Sequence, residues 1–188
     1  PYNDVYFAFT VQEECTANGG TTAAEAVRPD IGIAIDVCGT GDAIGVTPME
    51  CKVGSGAAIC IRDSTIICDR DVIDAMTKVA EEKKIPYQYE VYVHGGTDAV
   101  PMQKVGLGAK ACVLSIPMRN LHTSAELLDL KSAQTLCRSP IDRIEDTILF
   151  FVFVNLFIDV SHYFQCELAV FPDRFSIIKL LQLIKGRD

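Results

Sequence analysis

Apolar positions run along the chain in two rhythms. Residues 5–11 (VYFAFTV), 31–37 (IGIAIDV), 57–61 (AAICI), 87–93 (YQYEVYV) and 110–116 (KACVLSI) are short runs rich in β-branched and aromatic residues, and each reads as a strand. Residues 71–84 (DVIDAMTKVAEEKK) instead place apolar side chains at 72, 73, 76, 79 and 80, the spacing of one helix face, with Pro86 beyond the end. Shorter helices are expected at 21–27, 98–104 and 124–137. Residues 12–20 are polar and glycine-containing, a connection rather than an element. Strands alternating with helices, several of the strands uninterruptedly apolar, predict an α/β sandwich around a largely buried sheet. There is no internal repeat and no low-complexity linker. From about Ser139 the character changes. Residues 148–158 (ILFFVFVNLFI) are apolar except for Asn155. The run is too short to span a bilayer, which takes about 20 residues, so no membrane partner is expected. It reads as a buried strand or an interface helix.

Composition narrows the class. A chain of 188 residues fits one domain and can bury a real core. Its net charge of −8, with no run of Lys or Arg, excludes a nucleic-acid partner, which would need a basic face against phosphates. The eight Cys could form disulfides in a secreted protein. However, no C-x-x-C pair occurs and most Cys lie inside apolar runs. The expectation is therefore buried free thiols in a reducing cytoplasm. No signal peptide is recognisable. The sequence opens at Pro1 without an initiator Met, shortly before a strand, so a piece of a longer protein is expected.

Candidate chemistry gathers at strand ends, where α/β folds place their sites. Glu13 and Glu14 follow the first strand, Asp36 is the only charge in the second, and His122 follows the strand that ends at Ile116. Carboxylates with imidazole are a ligand set for a divalent metal. Each residue also has a plainer reading: a solvated Glu pair, a turn-capping Asp, a surface His. Other motifs carry less. Residues 106–111 (GLGAKA) fit a loose dinucleotide fingerprint but precede a strand where that motif must follow one. Gly54-Ser55-Gly56 lacks the Gly-Lys of a phosphate loop.

Taken in order, the segments resemble the tetrahedral aminopeptidases, a family that also holds glutamyl and deblocking aminopeptidases and members labelled cellulase or endoglucanase. The resemblance is carried by residues 9–14 (FTVQEE), 21–24 (TTAA), 29–30 (PD), 34–37 (AIDV), 52–56 (KVGSG), 85–88 (IPYQ), 95–99 (GGTDA) and 115–122 (SIPMRNLH). It implies a three-layer α/β/α sandwich of the zinc-exopeptidase type, truncated at the N-terminus. Residues 1–138 would be the C-terminal part of the catalytic domain, and 139–188 an apolar tail. The roles it implies are Glu13 as general base, Glu14 and His122 as ligands of one metal, and Asp36 as ligand of the other. The implied cofactors are two divalent ions, zinc or cobalt. Peptides would be the substrates, and a homo-oligomer from dimer to dodecamer the assembly. The family's site also needs a His and a bridging Asp from upstream segments that are absent here. Met118, Asn120 and Thr16 depart from the usual Thr, aromatic and Gly.

Two other functions compete. A glycosidase needs two carboxyls flanking the scissile bond, about 5–5.5 or 6.5–9.5 Å apart. Adjacent Glu13 and Glu14 suit one metal centre better, and the chain has no Trp for a sugar platform. A truncated, non-catalytic protein is the other, because a site short of its bridging ligand holds metal poorly.

Overall fold

A computed structural model of the chain describes residues 4–136 and 148–152, which lie within one compact unit spanning residues 1–154. The strands are β1 (Val5–Phe9), β2 (Ile31–Cys38), β3 (Ala57–Arg62), β4 (Tyr87–Val91), β5 (Lys110–Arg119), β6 (Leu127–Leu128) and β7 (Ile148–Val152). The helices are α1 (Glu13–Thr16), α2 (Asn18–Val27), α3 (Arg70–Glu82), α4 (Ala99–Lys104) and α5 (Leu130–Leu136). The strands form a central mixed sheet, ordered β1-β7-β2-β5-β3-β4, with helices flanking it and β6 paired to the end of β5. β1, β7, β2 and β5 run parallel, and β3 meets β5 antiparallel.

The local chemistry explains these elements. α3 starts at Asp69, whose side chain accepts the backbone N–H of Asp71, and it buries Val72, Ile73, Met76, Val79 and Ala80 against the sheet. β2 and β5 are apolar almost throughout because they are interior strands. The main core joins Ile33, Ile59, Val113 and Leu114 of the sheet to Met76 of α3 and Met102 of α4. Five of the cysteines (38, 51, 60, 68 and 112) are buried and free, whereas Cys15 is free and exposed; Cys137 and Cys166 lie outside the described residues. Among the described residues no helix is long and apolar enough to cross a membrane.

The expected elements recur with three differences. Within residues 12–20 there is one turn of helix, α1, held between left-handed residues Gln12 (φ 61°) and Ala17 (φ 52°), and the helix expected from 21 starts already at Asn18. The helix expected over 124–137 begins only at Leu130, with Cys137 outside the described residues. The reason is twofold. Asp129 accepts the Ser132 N–H at 2.9 Å and starts the helix there, while β5 runs on to Arg119 and takes Leu127 and Leu128 as ladder partners. The apolar run at 148–158 begins as strand β7, and 153–158 fall outside the described residues.

Gly32 marks where α4 is seated on β2. A methyl group there would meet the Met102 side chain, whose Cβ lies 2.9 Å away and whose sulfur lies closer still. Gly32→Ala should therefore destabilise the fold by roughly 1–3 kcal/mol, the usual cost of overpacking a dense core. Urea denaturation followed by circular dichroism measures it, and an unchanged midpoint would contradict this packing.

Candidate active site

Parallel strands put their C-terminal ends at one edge of a sheet, and the residues that follow β1 and β5 meet there. α1 carries Glu13 and Glu14. Its turn is clamped by side chains: Asn18 Nδ2 donates to Gln12 Oε1 at 3.0 Å, and Thr16 Oγ1 donates to Asn18 Oδ1 at 2.7 Å. Left-handed non-glycine residues on both sides of a short turn are a form of backbone strain that persists only when neighbours enforce it. Behind the turn, Gly19 leaves no room for a side chain, since a Cβ would lie 2.5 Å from the Val11 carbonyl oxygen.

Beyond β5 the chain is fixed by Arg119, which donates from Nε and Nη2 to the two carboxylate oxygens of Asp42 at 3.1 and 2.6 Å. That guanidinium holds the Asp42 carboxyl well below the usual carboxylate range. Asn120 (φ 56°) and His122 (φ 60°) then turn the chain, and the His122 N–H donates to Glu126 Oε1. His122 Nε2 comes to rest 3.5 Å from Glu14 Oε1.

Asp36 is the third member. It is 8% exposed, points from β2 on the same sheet face as its register partner Ser115, and accepts the Val37 N–H at 2.7 Å. Glu13, Glu14, Asp36 and His122 all line one cavity of about 280 Å³. Burial, opposed only by its hydrogen bond from Val37, pushes the Asp36 carboxyl well above the ordinary value, with Glu13, Asp98 and Glu14 adding repulsion. Glu13 is pushed up to about 7, first by burial and then by Asp98 and Glu14.

Several residues at this site were not among the sequence candidates. Asp98 is fully buried behind Glu13; it accepts the Thr10 hydroxyl at 2.5 Å, and its other oxygen has no partner. Glu90 and Asp63 also line the cavity, and Tyr92 and His94 pack edge to face, centroids 5.9 Å apart, on its wall. Glu90 had a detectable signal, as the one charge in a strand. Asp63 looked like an ordinary turn residue.

The donor chemistry suits a divalent cation: five carboxylates and two imidazoles, with no Lys or Arg, among the described residues lining the cavity. Among the described residues, however, no group of three or more such side chains is assembled closely enough to hold a metal ion.

Comparison with known proteins gives this geometry a context. The family model described as M42 glutamyl aminopeptidase matches residues 1–138. A protein of Acetivibrio thermocellus carrying an aminopeptidase name is 39% identical over 137 residues, covering 71% of this chain and 42% of the relative. The structure of an aminopeptidase from the archaeon Desulfurococcus kamchatkensis is 36% identical with a TM-score of 0.64, covering 67% of this chain and 37% of the other. The TET1 peptidase of Pyrococcus horikoshii, which can assemble into a tetrahedron or a large octahedral shell, is 31% identical with a TM-score of 0.57, over 69% of this chain and 37% of the other. The chain thus spans about two-fifths of the length of these relatives.

The raised carboxyls fix the sign of a pH effect. A carboxyl whose folded pKa exceeds its unfolded value stabilises the fold fully below the unfolded pKa, and that contribution is lost as pH rises through the folded one. For Glu13 the window runs from 4.5 to about 7, and Asp36 and Glu90 act in the same direction. In chelating buffer the melting temperature should fall between pH 5 and pH 8. Asp36→Asn should flatten the fall. A melting temperature that rises over this range would contradict the electrostatics of the cavity.

Proposed function

The chain belongs to the M42 glutamyl aminopeptidase family, and on that premise we propose that residues 1–138 are the C-terminal part of a metal-dependent aminopeptidase domain that hydrolyses N-terminal peptide bonds. Residues 139–188 are, on this reading, an extension beyond the family match that contributes β7 to the sheet. The observation that carries the proposal is the meeting of Glu13, Glu14, Asp36 and His122 in one cavity that holds no basic counter-charge among its described residues.

Glu14 and His122, side by side at 3.5 Å, would hold one divalent ion, zinc or cobalt, and Asp36 would contribute to holding a second. Such ions would acidify water and polarise a peptide carbonyl. The chain's own part is then positional. The clamped α1 turn carries two adjacent carboxylates in different surroundings, Glu14 beside His122 and Glu13 near enough to Asp98 to feel its charge. Glu13 is the general base: its carboxylate accepts a proton from the attacking water and returns it to the departing amine. An ordinary carboxylate suffices for that exchange, because the ions would already have made the water acidic. The glycosidase alternative finds less support. Glu14 is engaged with His122, so the adjacent pair is not a matched acid and base facing each other across a bond.

A homo-oligomer is proposed from the shells formed by the Pyrococcus horikoshii relative. A cytoplasmic setting is proposed from the free, mostly buried thiols.

Two experiments test the roles. In a complete enzyme containing this segment, Glu13→Gln should keep metal content and lower kcat by about 10²–10⁴-fold, as expected for loss of a general base. Glu14→Gln should lose metal instead. Retained kcat in the Glu13 variant would overturn the assignment. Assayed alone on aminoacyl anilides, the 188-residue chain should show no turnover with added zinc or cobalt, because its described residues supply too few ligands. Chelator-sensitive turnover by the chain alone would mean that it completes the site unaided.

A further inference from the structure

Asp98 stands immediately before α4, where an Asp ordinarily caps its own helix by accepting one of the first free N–H groups. It makes no such bond here, and Thr97 Oγ1 accepts the Ala99 N–H instead, at 3.2 Å. The Asp98 carboxylate is directed to Thr10, 88 residues earlier in the chain, whose hydroxyl donates to Oδ2 at 2.5 Å. α2 lies against the other oxygen. A Cβ at Gly20 would run into the Asp98 carboxylate, and Oδ1 is buried without a hydrogen-bond partner. A fully buried carboxylate with so few donors is costly, and helix capping does not account for it.

What the Thr10 bond joins does account for it. Thr10 is the first residue past β1, and it leads through left-handed Gln12 to Glu13. Other bonds close this corner on itself. The Gly19 N–H donates to the Val11 carbonyl and the Ala17 N–H to the Glu13 carbonyl, each at 3.0 Å, and Asn18 is bonded to Gln12. These set the shape of the corner. The Thr10–Asp98 bond ties it to α4, the helix seated on β2 where Met102 meets Gly32, and β2 carries Asp36. The tie thus runs from the strand end that bears Glu13 to the strand that bears Asp36. Its acceptor is a carboxylate, which makes such a bond shorter and stronger than one between neutral groups.

We propose that Asp98 is a positioning residue for the general base: through Thr10 it fixes where the α1 turn presents Glu13 relative to Asp36. The inference rests on the aminopeptidase reading for the role of Glu13. Asp98 is not among the residues that line the cavity, so it acts by holding the corner in place and not on the substrate.

Because Asp98 is fully buried, the test is made at half-buried Thr10. Thr10→Val removes the hydroxyl and keeps the shape, whereas Thr10→Ser keeps the hydroxyl. Thr10→Ala carries the same comparison should the valine variant not fold. Amide hydrogen exchange of the 188-residue chain in chelating buffer reads the corner at Ala17 and Gly19. Thr10→Val should speed both amides by about tenfold or more, as expected for losing a bond to a charged acceptor. Thr10→Ser should leave them near their original rates. In a complete enzyme containing this segment, Thr10→Val should lower kcat by about tenfold or more and leave KM within about twofold, and Thr10→Ser should retain turnover. A purely structural brace gives a different pattern, a lower urea midpoint with the Ala17 and Gly19 rates unchanged. That pattern overturns the proposal, as does unchanged kcat in the valine variant or a serine variant that behaves like it. The exchange measurement needs neither metal nor substrate, so its failure is distinct from failure of the aminopeptidase reading, which the Glu13→Gln variant tests.

Discussion

Everything at the candidate site depends on four strands running the same way. β1, β7, β2 and β5 are parallel neighbours, so the chain leaves each of them at the same edge of the sheet. Glu13 and Glu14 follow β1, Asp36 lies near the end of β2, and His122 follows β5. Were one strand reversed, its residue would lie a strand's length away. The lateral spacing is set equally firmly. Strands sit about 4.8 Å apart, so with β7 between them β1 and β2 are separated by about 10 Å, the width of a cleft rather than of a contact. β7 therefore fixes the distance between the Glu pair and Asp36, although it lies beyond the residues matched by the family model.

Much of this was legible in the amino-acid sequence, and for identifiable reasons. Interior strands must be apolar on both faces, so β2 and β5 were visible as runs with few polar residues. α3 showed its buried stripe at helical spacing. Asp36 stood out because one charge inside such a run needs an explanation. What escaped notice depended on contacts between distant residues. α1 is a single turn stabilised by its own side-chain clamp, too short for any periodicity to reveal. The shortening of the expected helix at 124–137 depends on β5 needing a partner for Met118 and Arg119, which is a pairing and not a propensity. That 148–152 would be a strand was one of two readings, and its place between β1 and β2 could not be inferred from an isolated apolar run.

The site residues divide in the same way. Glu13, Glu14, Asp36 and His122 could be named because they follow strands within recognisable motifs. Asp98 lies within the quoted GGTDA segment, yet only the fold shows it buried behind Glu13 and joined to Thr10. Asp63 follows β3 and Glu90 lies in β4, on the other side of β5 from β2, and nothing in their local sequence links them to Asp36.

The five carboxylates that line the cavity impose a shared requirement. Burial alone would be met by protonating them, and the upward shifts of Glu13, Asp36 and Glu90 are the beginning of that response. Cations offer the other resolution. An ion at the Glu14–His122 end would draw charge back onto the carboxylates nearest to it and return Asp36 and Glu13 toward their ordinary values.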